Sequence, residues 1–161
     1  MATKVLFVCT GNQCRSPFAK AVLDKLIARD GFTGIVTDSA GTVAMGGEPA
    51  TQDAIKIAAS MGVDIGAHSA RMLTSYTLFD SDKIVGMEMY HLDKVMELCP
   101  ECEKRMELLG SYTPYYPEGE TIPDPVGLGH IVYRTVFSRI IESVSKLYSK
   151  LKKEALAAQK G

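Results

Sequence analysis

The chain has 161 residues, of which 46% are hydrophobic and 23% are charged, with 18 basic and 19 acidic side chains. This is the size of one ordinary globular domain, and we expect residues 1–161 to form it. A formal net charge of -1 excludes a general attraction to nucleic acid or to an anionic membrane. No apolar run approaches the roughly 18 residues of a membrane helix, and residues 5–8 are too short for a secretory leader, so we expect a cytoplasmic protein.

The N-terminal part predicts a strand, a tight loop and a helix. Residues 4–9 (KVLFVC) form an apolar run without alternation, which is typical of a strand buried on both faces of a parallel sheet. After a turn over residues 10–15, Ser16 and Pro17 supply an N-cap residue and a proline at the first helical position. The residues that follow keep helical spacing as far as Arg29.

The rest of the chain predicts strands that alternate with helices. The predicted elements are strands over residues 35–40, 83–87 and 106–111, and helices over residues 51–61 and 92–98. Residues 41–49 form a glycine-rich loop, and from about Gly129 an apolar stripe marks a long helix whose end, after about Lys153, we expect to fray. The alternation indicates a three-layer α/β fold, a parallel sheet flanked by helices, with sites beyond the carboxyl ends of the strands.

The loop after the first strand has the composition of a phosphate-binding loop. It reads C-T-G-N-Q-C-R from Cys9 to Arg15, and Gly11 and Asn12 tolerate the left-handed backbone that turns successive N–H groups inward. The positive end of the following helix dipole favours an anion and also the Cys9 thiolate. Arg15 offers a planar fork for two phosphate oxygens. The pattern therefore predicts Cys9 as a nucleophile and Arg15 as a charge stabiliser, in a loop without the G-K-[ST] ending of nucleotide-binding loops.

An acid that could assist this nucleophile is Asp124, in the sequence Ile-Pro-Asp-Pro at residues 122–125. A leaving oxygen must be protonated, and a water molecule must later be deprotonated. The prolines on both sides restrict the backbone, so the carboxyl can be aimed at one point. The tetrapeptide alone also fits an ordinary turn, and it becomes an acid candidate only in combination with the cysteine loop.

Three segments together resemble the low-molecular-weight protein tyrosine phosphatase family. They are V-L-F-V-C-T-G-N-Q-C-R-S-P near the N-terminus, D-S-A-G-T at residues 38–42 and D-P at residues 124–125. The resemblance implies a four-stranded parallel sheet flanked by helices, with the phosphate-binding loop after the first strand. It also implies hydrolysis of phosphate monoesters on phosphorylated proteins through a phosphocysteine, without metal or cofactor, and with inorganic phosphate as a product inhibitor.

The resemblance assigns a role to each residue of the loop and to its supports. Cys9 is the nucleophile, Arg15 the phosphate clamp and Asp124 the general acid. Cys14 is implied to form a reversible disulfide with Cys9 under oxidation. The residues implied to bind phosphate are Thr10, Gly11, Asn12, Gln13, Cys14, Arg15 and Ser16, the last through a hydroxyl that also stabilises the thiolate. Asn12 is implied to hold the left-handed bend through hydrogen bonds to Ser39 and His68.

The substrate is left open by departures from the family pattern. Many members carry a bulky aliphatic residue after the nucleophile and an aromatic pair after Asp-Pro, whereas this chain has Thr10 and Val126-Gly127. Thr10 is similar to bacterial relatives that act on phosphoarginine, which is the alternative activity. Met45 could replace the missing aromatic residue, and the tyrosine pair at residues 115–116 is interpreted as ordinary loop.

Two further alternatives concern the chemistry. Thiol-dependent arsenate reductases resemble this family and need two more redox cysteines, for which Cys99 and Cys102 could be proposed. They lie beyond the third strand, however, whereas the first such thiol is expected at its end, where Gly86 stands. We expect them to be free thiols on a connection between a helix and a strand, because a single C-x-x-C offers too few zinc ligands. A silent phosphate-binding module would be expected to lack the arginine or the acid.

Overall fold

The computed structural model describes residues 1–160, which form four strands and five α-helices with two short 3-10 helices. The strands are β1 (Thr3–Cys9), β2 (Ile35–Gly41), β3 (Lys83–Gly86) and β4 (Met106–Leu108). The α-helices are α1 (Arg15–Asp30), α2 (Gln52–Ser60), α3 (Ser75–Phe79), α4 (Met89–Leu98) and α5 (His130–Lys160). The 3-10 helices are Pro100–Arg105 and Leu109–Tyr112.

The strands form one parallel sheet in the order β2-β1-β3-β4, which confirms the predicted fold class. β1 is central, and its residues from Val5 to Cys9 are buried, as the unbroken apolar run predicts. Its register pairs Cys9 with Gly41 of β2 and Val8 with Gly86 of β3. The carboxyl ends of three strands therefore meet at one edge of the sheet.

Helices cover both faces of the sheet. Val5, Phe7 and Cys9 pack in a core with residues of α1, α2 and α5, whereas Leu6 and Val8 pack with residues of α3 and α4. This alternation follows from the two-residue period of a strand. None of the helices described combines the length and the apolar character needed to span a lipid bilayer.

Two element boundaries differ from the prediction by three residues, and one short helix was not predicted. α4 begins at Met89, three residues early, because His91 Nδ1 accepts a hydrogen bond from the Glu88 backbone N–H at 3.0 Å and thereby caps the first turn. The fourth strand ends at Leu108, where the chain turns into a 3-10 helix. Gly110 in that turn lies so close to the Glu120 carbonyl that a side chain would not fit. α3 was not predicted, since five residues are too few for a periodic signal.

The segment after about Lys153, which we expect to fray, is helical in the structure. α5 continues to Lys160, with Leu151 buried and Glu154 Oε2 lying 3.6 Å from the ammonium of Lys83 on β3. The segment beyond Lys153 is rich in alanine and other strong helix formers, so propensity and one tertiary contact both favour the helix.

The expectation that Cys99 and Cys102 are free thiols is wrong, because the structure joins them in a disulfide. The 3-10 helix that follows α4 brings their Cα atoms to 5.4 Å, which lies within the range that a disulfide requires. Both cysteines are fully buried on the α3 and α4 side of the sheet.

Candidate active site

The loop between β1 and α1 is held in shape by Asn12. Asn12 is the one non-glycine residue among residues 1–160 with a left-handed backbone, at φ 55°, and it is completely buried. Its Nδ2 donates to Ser16 Oγ at 2.7 Å and to Ser39 Oγ at 3.0 Å. Its Oδ1 accepts from the Arg71 backbone N–H at 2.9 Å, and His68 Nε2 donates to its carbonyl at 2.6 Å. Hydrogen bonds to four other residues therefore hold the left-handed backbone of Asn12.

The sulfur of Cys9 faces a hydroxyl. Ser16 Oγ lies 2.9 Å from Cys9 Sγ. Because Ser16 already accepts from the Asn12 amide, its own proton is free to donate to the sulfur. α1 begins at Arg15 rather than after Ser16, so Ser16 does not cap the helix as predicted and its hydroxyl is available for this contact. The first N–H groups of α1 add a positive dipole at the same place.

The Arg15 guanidinium is fully buried, and its two terminal nitrogens have different contacts. Nη1 donates to Glu88 Oε2 at 2.7 Å and to the Ile122 carbonyl at 2.8 Å. Nη2 lies 3.5 Å from Thr10 Oγ1 and 3.9 Å from Asp124 Oδ2, and neither contact is a strong one. Burial lowers the pKa of Arg15, but the negative charges of Cys9, Glu88 and Asp124 outweigh it and raise the pKa above its usual value. The group stays charged and keeps one edge for a ligand.

Asp124 lines the same cavity as Cys9. Its side chain is about half exposed, and its Oδ1 accepts from the Val126 backbone N–H at 3.1 Å. Together with the loop residues 9–11 and 13–15, Thr51 and Val126, it lines a cavity of about 240 Å³. The cavity is small, and a carboxyl, a thiol and a guanidinium all border it.

The loop that leads to Asp124 is anchored by Arg139 of α5, whose side chain is buried. Its Nη1 donates to the Thr121 carbonyl at 2.7 Å, and its Nη2 donates to the Thr113 carbonyl at 3.1 Å. These bonds give an otherwise irregular segment a fixed path, so the carboxyl arrives at the cavity on a restrained backbone.

Cys14 is the second cysteine of the loop and is buried, like Cys9. Burial raises the pKa of the Cys14 thiol far above its ordinary value, and the negative charges of Cys9 and Asp124 raise it further. Cys14 therefore stays a protonated thiol at neutral pH. The two cysteines of the loop differ in chemical character although they belong to one seven-residue segment.

The site also contains residues that the sequence reasoning missed, namely Glu88, Tyr90 and His91. Glu88 follows β3 and binds Arg15, while Tyr90 and His91 contact the Thr10 hydroxyl. A signal was available: polar residues directly after a buried parallel strand are expected at the ligand-binding edge of the sheet.

Several residues considered in the sequence lie away from the cavity. Met45 is highly exposed and does not line it. Tyr115 and Tyr116 donate to the Glu142 carboxylate on α5, as ordinary loop residues would. The Cys99–Cys102 disulfide follows the C-terminus of α4, about 15 Å along a ten-residue helix from its end near Arg15.

A larger cleft of about 370 Å³ lies behind the loop, with Ser39 and His68 among its lining residues. Its charged side chains already bind one another, as in the pair of Lys20 with Asp24 at 2.8 Å and that of Arg71 with Asp38 at 2.7 Å. An anion would find no free cation there. The smaller cavity at Cys9 is the better candidate for anion binding.

Comparison with known proteins agrees with this geometry. The family model described as "Low molecular weight phosphotyrosine protein phosphatase" matches residues 4–157. The low molecular weight protein-tyrosine-phosphatase Etp of Escherichia coli is 32% identical over 146 residues, which cover 91% of this chain and 92% of Etp.

Two solved structures have the same fold over nearly their whole length. Wzb of Vibrio vulnificus in complex with benzylphosphonate is 29% identical, with a TM-score of 0.83 and coverage of 93% of this chain and 99% of Wzb. The YwlE arginine phosphatase of Geobacillus stearothermophilus is 28% identical, with a TM-score of 0.84 and coverage of 96% of both chains. The chain belongs to the low molecular weight phosphotyrosine protein phosphatase family and is a hydrolase of that family.

Proposed function

We propose that this protein removes phosphate from phosphotyrosine in proteins through a phosphocysteine intermediate, with Cys9, Arg15 and Asp124 as its catalytic residues. The observation that carries the proposal is the shared cavity, which the Cys9 loop and Asp124 line together. A phosphoryl group in the loop would have the sulfur on one side and the acid on the other, as an in-line displacement requires.

In the first step, the Cys9 thiolate attacks phosphorus. An S–P bond forms while the bond between phosphorus and the tyrosine oxygen breaks, and Asp124 donates its proton to the departing oxygen. The oxygens of the transferring group carry growing negative charge. Arg15 and most residues of the loop line the same cavity, so the Nη2 edge of Arg15 and the backbone N–H groups of the loop would stabilise that charge.

In the second step, the Asp124 carboxylate takes a proton from water, and the water oxygen attacks phosphorus. The S–P bond breaks, and its electron pair returns to the sulfur, where the Ser16 hydroxyl stabilises the thiolate at 2.9 Å. Inorganic phosphate has the same tetrahedral oxygens as the transferred group, so we expect it to inhibit as a product. The nucleophile works only as a thiolate, and we therefore propose a reducing compartment, the cytoplasm, as the site of action. The Cys99–Cys102 disulfide is fully buried, so soluble reductants would not reach it there.

The roles are tested with an aryl phosphate in a buffer that contains a metal chelator. We expect turnover by the wild type, none by Cys9→Ser or Arg15→Ala, and turnover slowed at least 100-fold by Asp124→Ala, since acid catalysis contributes on the order of 10²–10⁴. Asp93→Ala, at an exposed position on α4, is the matched control and should keep wild-type activity. Undiminished activity in Cys9→Ser would refute the mechanism.

The phosphoarginine alternative has one specific observation in its favour, which is the threonine next to the nucleophile together with the overall similarity to an arginine phosphatase. An arsenate reductase needs further thiols near the loop. Cys99 and Cys102 lie at the remote end of α4, so the structure favours a hydrolase over that redox chemistry.

A further inference from the structure

The hydroxyl of Thr10 is engaged by side chains of α4. Thr10 Oγ1 lies 2.9 Å from His91 Nε2 and is in hydrogen-bond contact with the phenol of Tyr90. Arg15 Nη2 approaches the same oxygen at 3.5 Å. The residue next to the nucleophile is therefore held by a cluster of three side chains.

The direction of the bond between His91 and Thr10 follows from the state of the His91 ring. Its Nδ1 accepts the Glu88 backbone N–H at 3.0 Å, so that nitrogen carries no proton. Burial lowers the pKa of His91 to about 3, and the adjacent Arg15 charge lowers it as well, so the ring is neutral at pH 7 and its one proton is on Nε2. His91 thus donates to Thr10 Oγ1, and the Tyr90 phenol is free to donate to the second lone pair of the same oxygen.

This arrangement uses the hydrogen-bonding capacity of Thr10. A hydroxyl has one proton and two lone pairs, and donation from both His91 and Tyr90 occupies the two lone pairs. A phosphoarginine side chain brings N–H donors next to its phosphate and needs an acceptor at that point. Thr10 has none left to offer.

Tyr90 also supplies an aromatic side chain at a position where this chain otherwise has none. The residues after Asp124 include Val126 and Gly127 but no aromatic side chain. Tyr90 is 48% exposed, and its hydroxyl reaches Thr10, which lines the cavity. The hydroxyl end of Tyr90 therefore lies next to a residue that lines the cavity, and the exposed part of its ring is available to an aryl group bound there.

We propose that Tyr90 is a specificity-determining residue, which favours phosphotyrosine over phosphoarginine by occupying the Thr10 hydroxyl and by presenting its ring to the substrate. This inference rests on the proposed function. It differs from the simpler expectation that threonine at this position favours phosphoarginine. The difference arises because the Thr10 hydroxyl is already hydrogen-bonded to Tyr90 of α4.

The test compares kcat/KM for a phosphotyrosine peptide and a phosphoarginine peptide of the same flanking sequence. Tyr90→Ala should raise KM for phosphotyrosine about 2- to 10-fold with kcat little changed, the range expected for loss of one aromatic contact. Tyr90→Phe keeps the ring and frees Thr10, so kcat/KM for phosphoarginine should rise at least threefold while phosphotyrosine is affected less than in Tyr90→Ala. Tyr76→Ala, an exposed tyrosine on α3, is the matched control and should change neither value.

The outcomes separate the two proposals. A wild type that cleaves phosphotyrosine, combined with an unchanged substrate ratio in both Tyr90 variants, would overturn the role of Tyr90 alone. An equal loss of kcat on both substrates in Tyr90→Ala would show a merely structural role and would also overturn it. A wild type without phosphotyrosine activity would overturn the proposed function and this inference together.

Discussion

Replacing Glu88 by alanine should expose the dependence of Arg15 on its buried partner. The Arg15 side chain is 2% exposed and that of Glu88 is 22% exposed, so the ion pair is largely shielded from solvent. Removing one partner of a buried pair costs roughly 3–5 kcal/mol. Arg15 keeps its bond to the Ile122 carbonyl, and water can reach the space left by Glu88, so we expect about 2–3 kcal/mol for Glu88→Ala.

Thermal unfolding measures this loss. For a chain of this size, 1 kcal/mol corresponds to roughly 2–4 °C, so Tm should fall by about 4–12 °C. Inorganic phosphate bound in the loop would supply a new negative partner for Arg15. The Tm deficit of Glu88→Ala should therefore shrink as phosphate is added, whereas a general packing defect would leave it unchanged.

Activity gives an independent measurement. Without Glu88, the guanidinium is free to swing, and its Nη2 edge is no longer fixed towards the cavity, so kcat/KM should fall 10-fold or more. Glu97→Ala is the control on the same helix, because its ion pair with Lys94 is exposed and worth at most about 1 kcal/mol. If Glu88→Ala unfolds like Glu97→Ala and keeps wild-type kcat/KM, the assigned role of Glu88 is wrong.

Two further predictions concern titration and oxidation. The folded protein holds His91 neutral to about pH 3, whereas the unfolded chain protonates it near 6.5, so stability should decline by about 2 kcal/mol between pH 6.5 and 5 on its account. His91→Asn should lack that part of the decline in urea unfolding at the two pH values; an identical decline in both proteins would contradict the argument. Brief peroxide treatment should link Cys9 to Cys14 in peptide maps, and Cys14→Ser should not regain activity on reduction. Recovery of activity by Cys14→Ser, or sulfonic acid alone at Cys9, would argue against Cys14 as the resolving thiol.

The phosphate-binding loop could be predicted because its information is local. The segment from Cys9 to Arg15 is continuous, its strand is an unbroken apolar run, and Asn12 is a residue type that tolerates positive φ. Glu88 could not be found in the same way, because 73 positions separate it from Arg15. The contact between Arg15 and Glu88 depends on the pairing of Val8 with Gly86. With this register, the residues that follow β1 and those that follow β3 lie at the same edge of the sheet.

The disulfide could not be predicted, and the reason is physical. Spacing alone cannot show that the chain after α4 tightens into a 3-10 helix, which brings Cys99 and Cys102 within disulfide range. For the C-terminal end, the general tendency of terminal residues predicts fraying, whereas helix propensity and the contact of Glu154 with Lys83 favour the helix that the structure has to Lys160.

The charges around the cavity show what must attract the phosphate. Arg15 contributes one positive charge, while Glu88, Asp124 and the Cys9 thiolate are negative when ionised, so formal charge at the site does not favour an anion. Oriented N–H groups of the loop and the first turn of α1 must therefore supply the remaining attraction, and they act only at hydrogen-bonding distance. Because Glu88 already offsets much of the Arg15 charge, selectivity for phosphate over other anions depends on how well a tetrahedral group fits the loop. In the proposed mechanism, a protein with a net charge of -1 would thus bind phosphate without attracting polyanions in general.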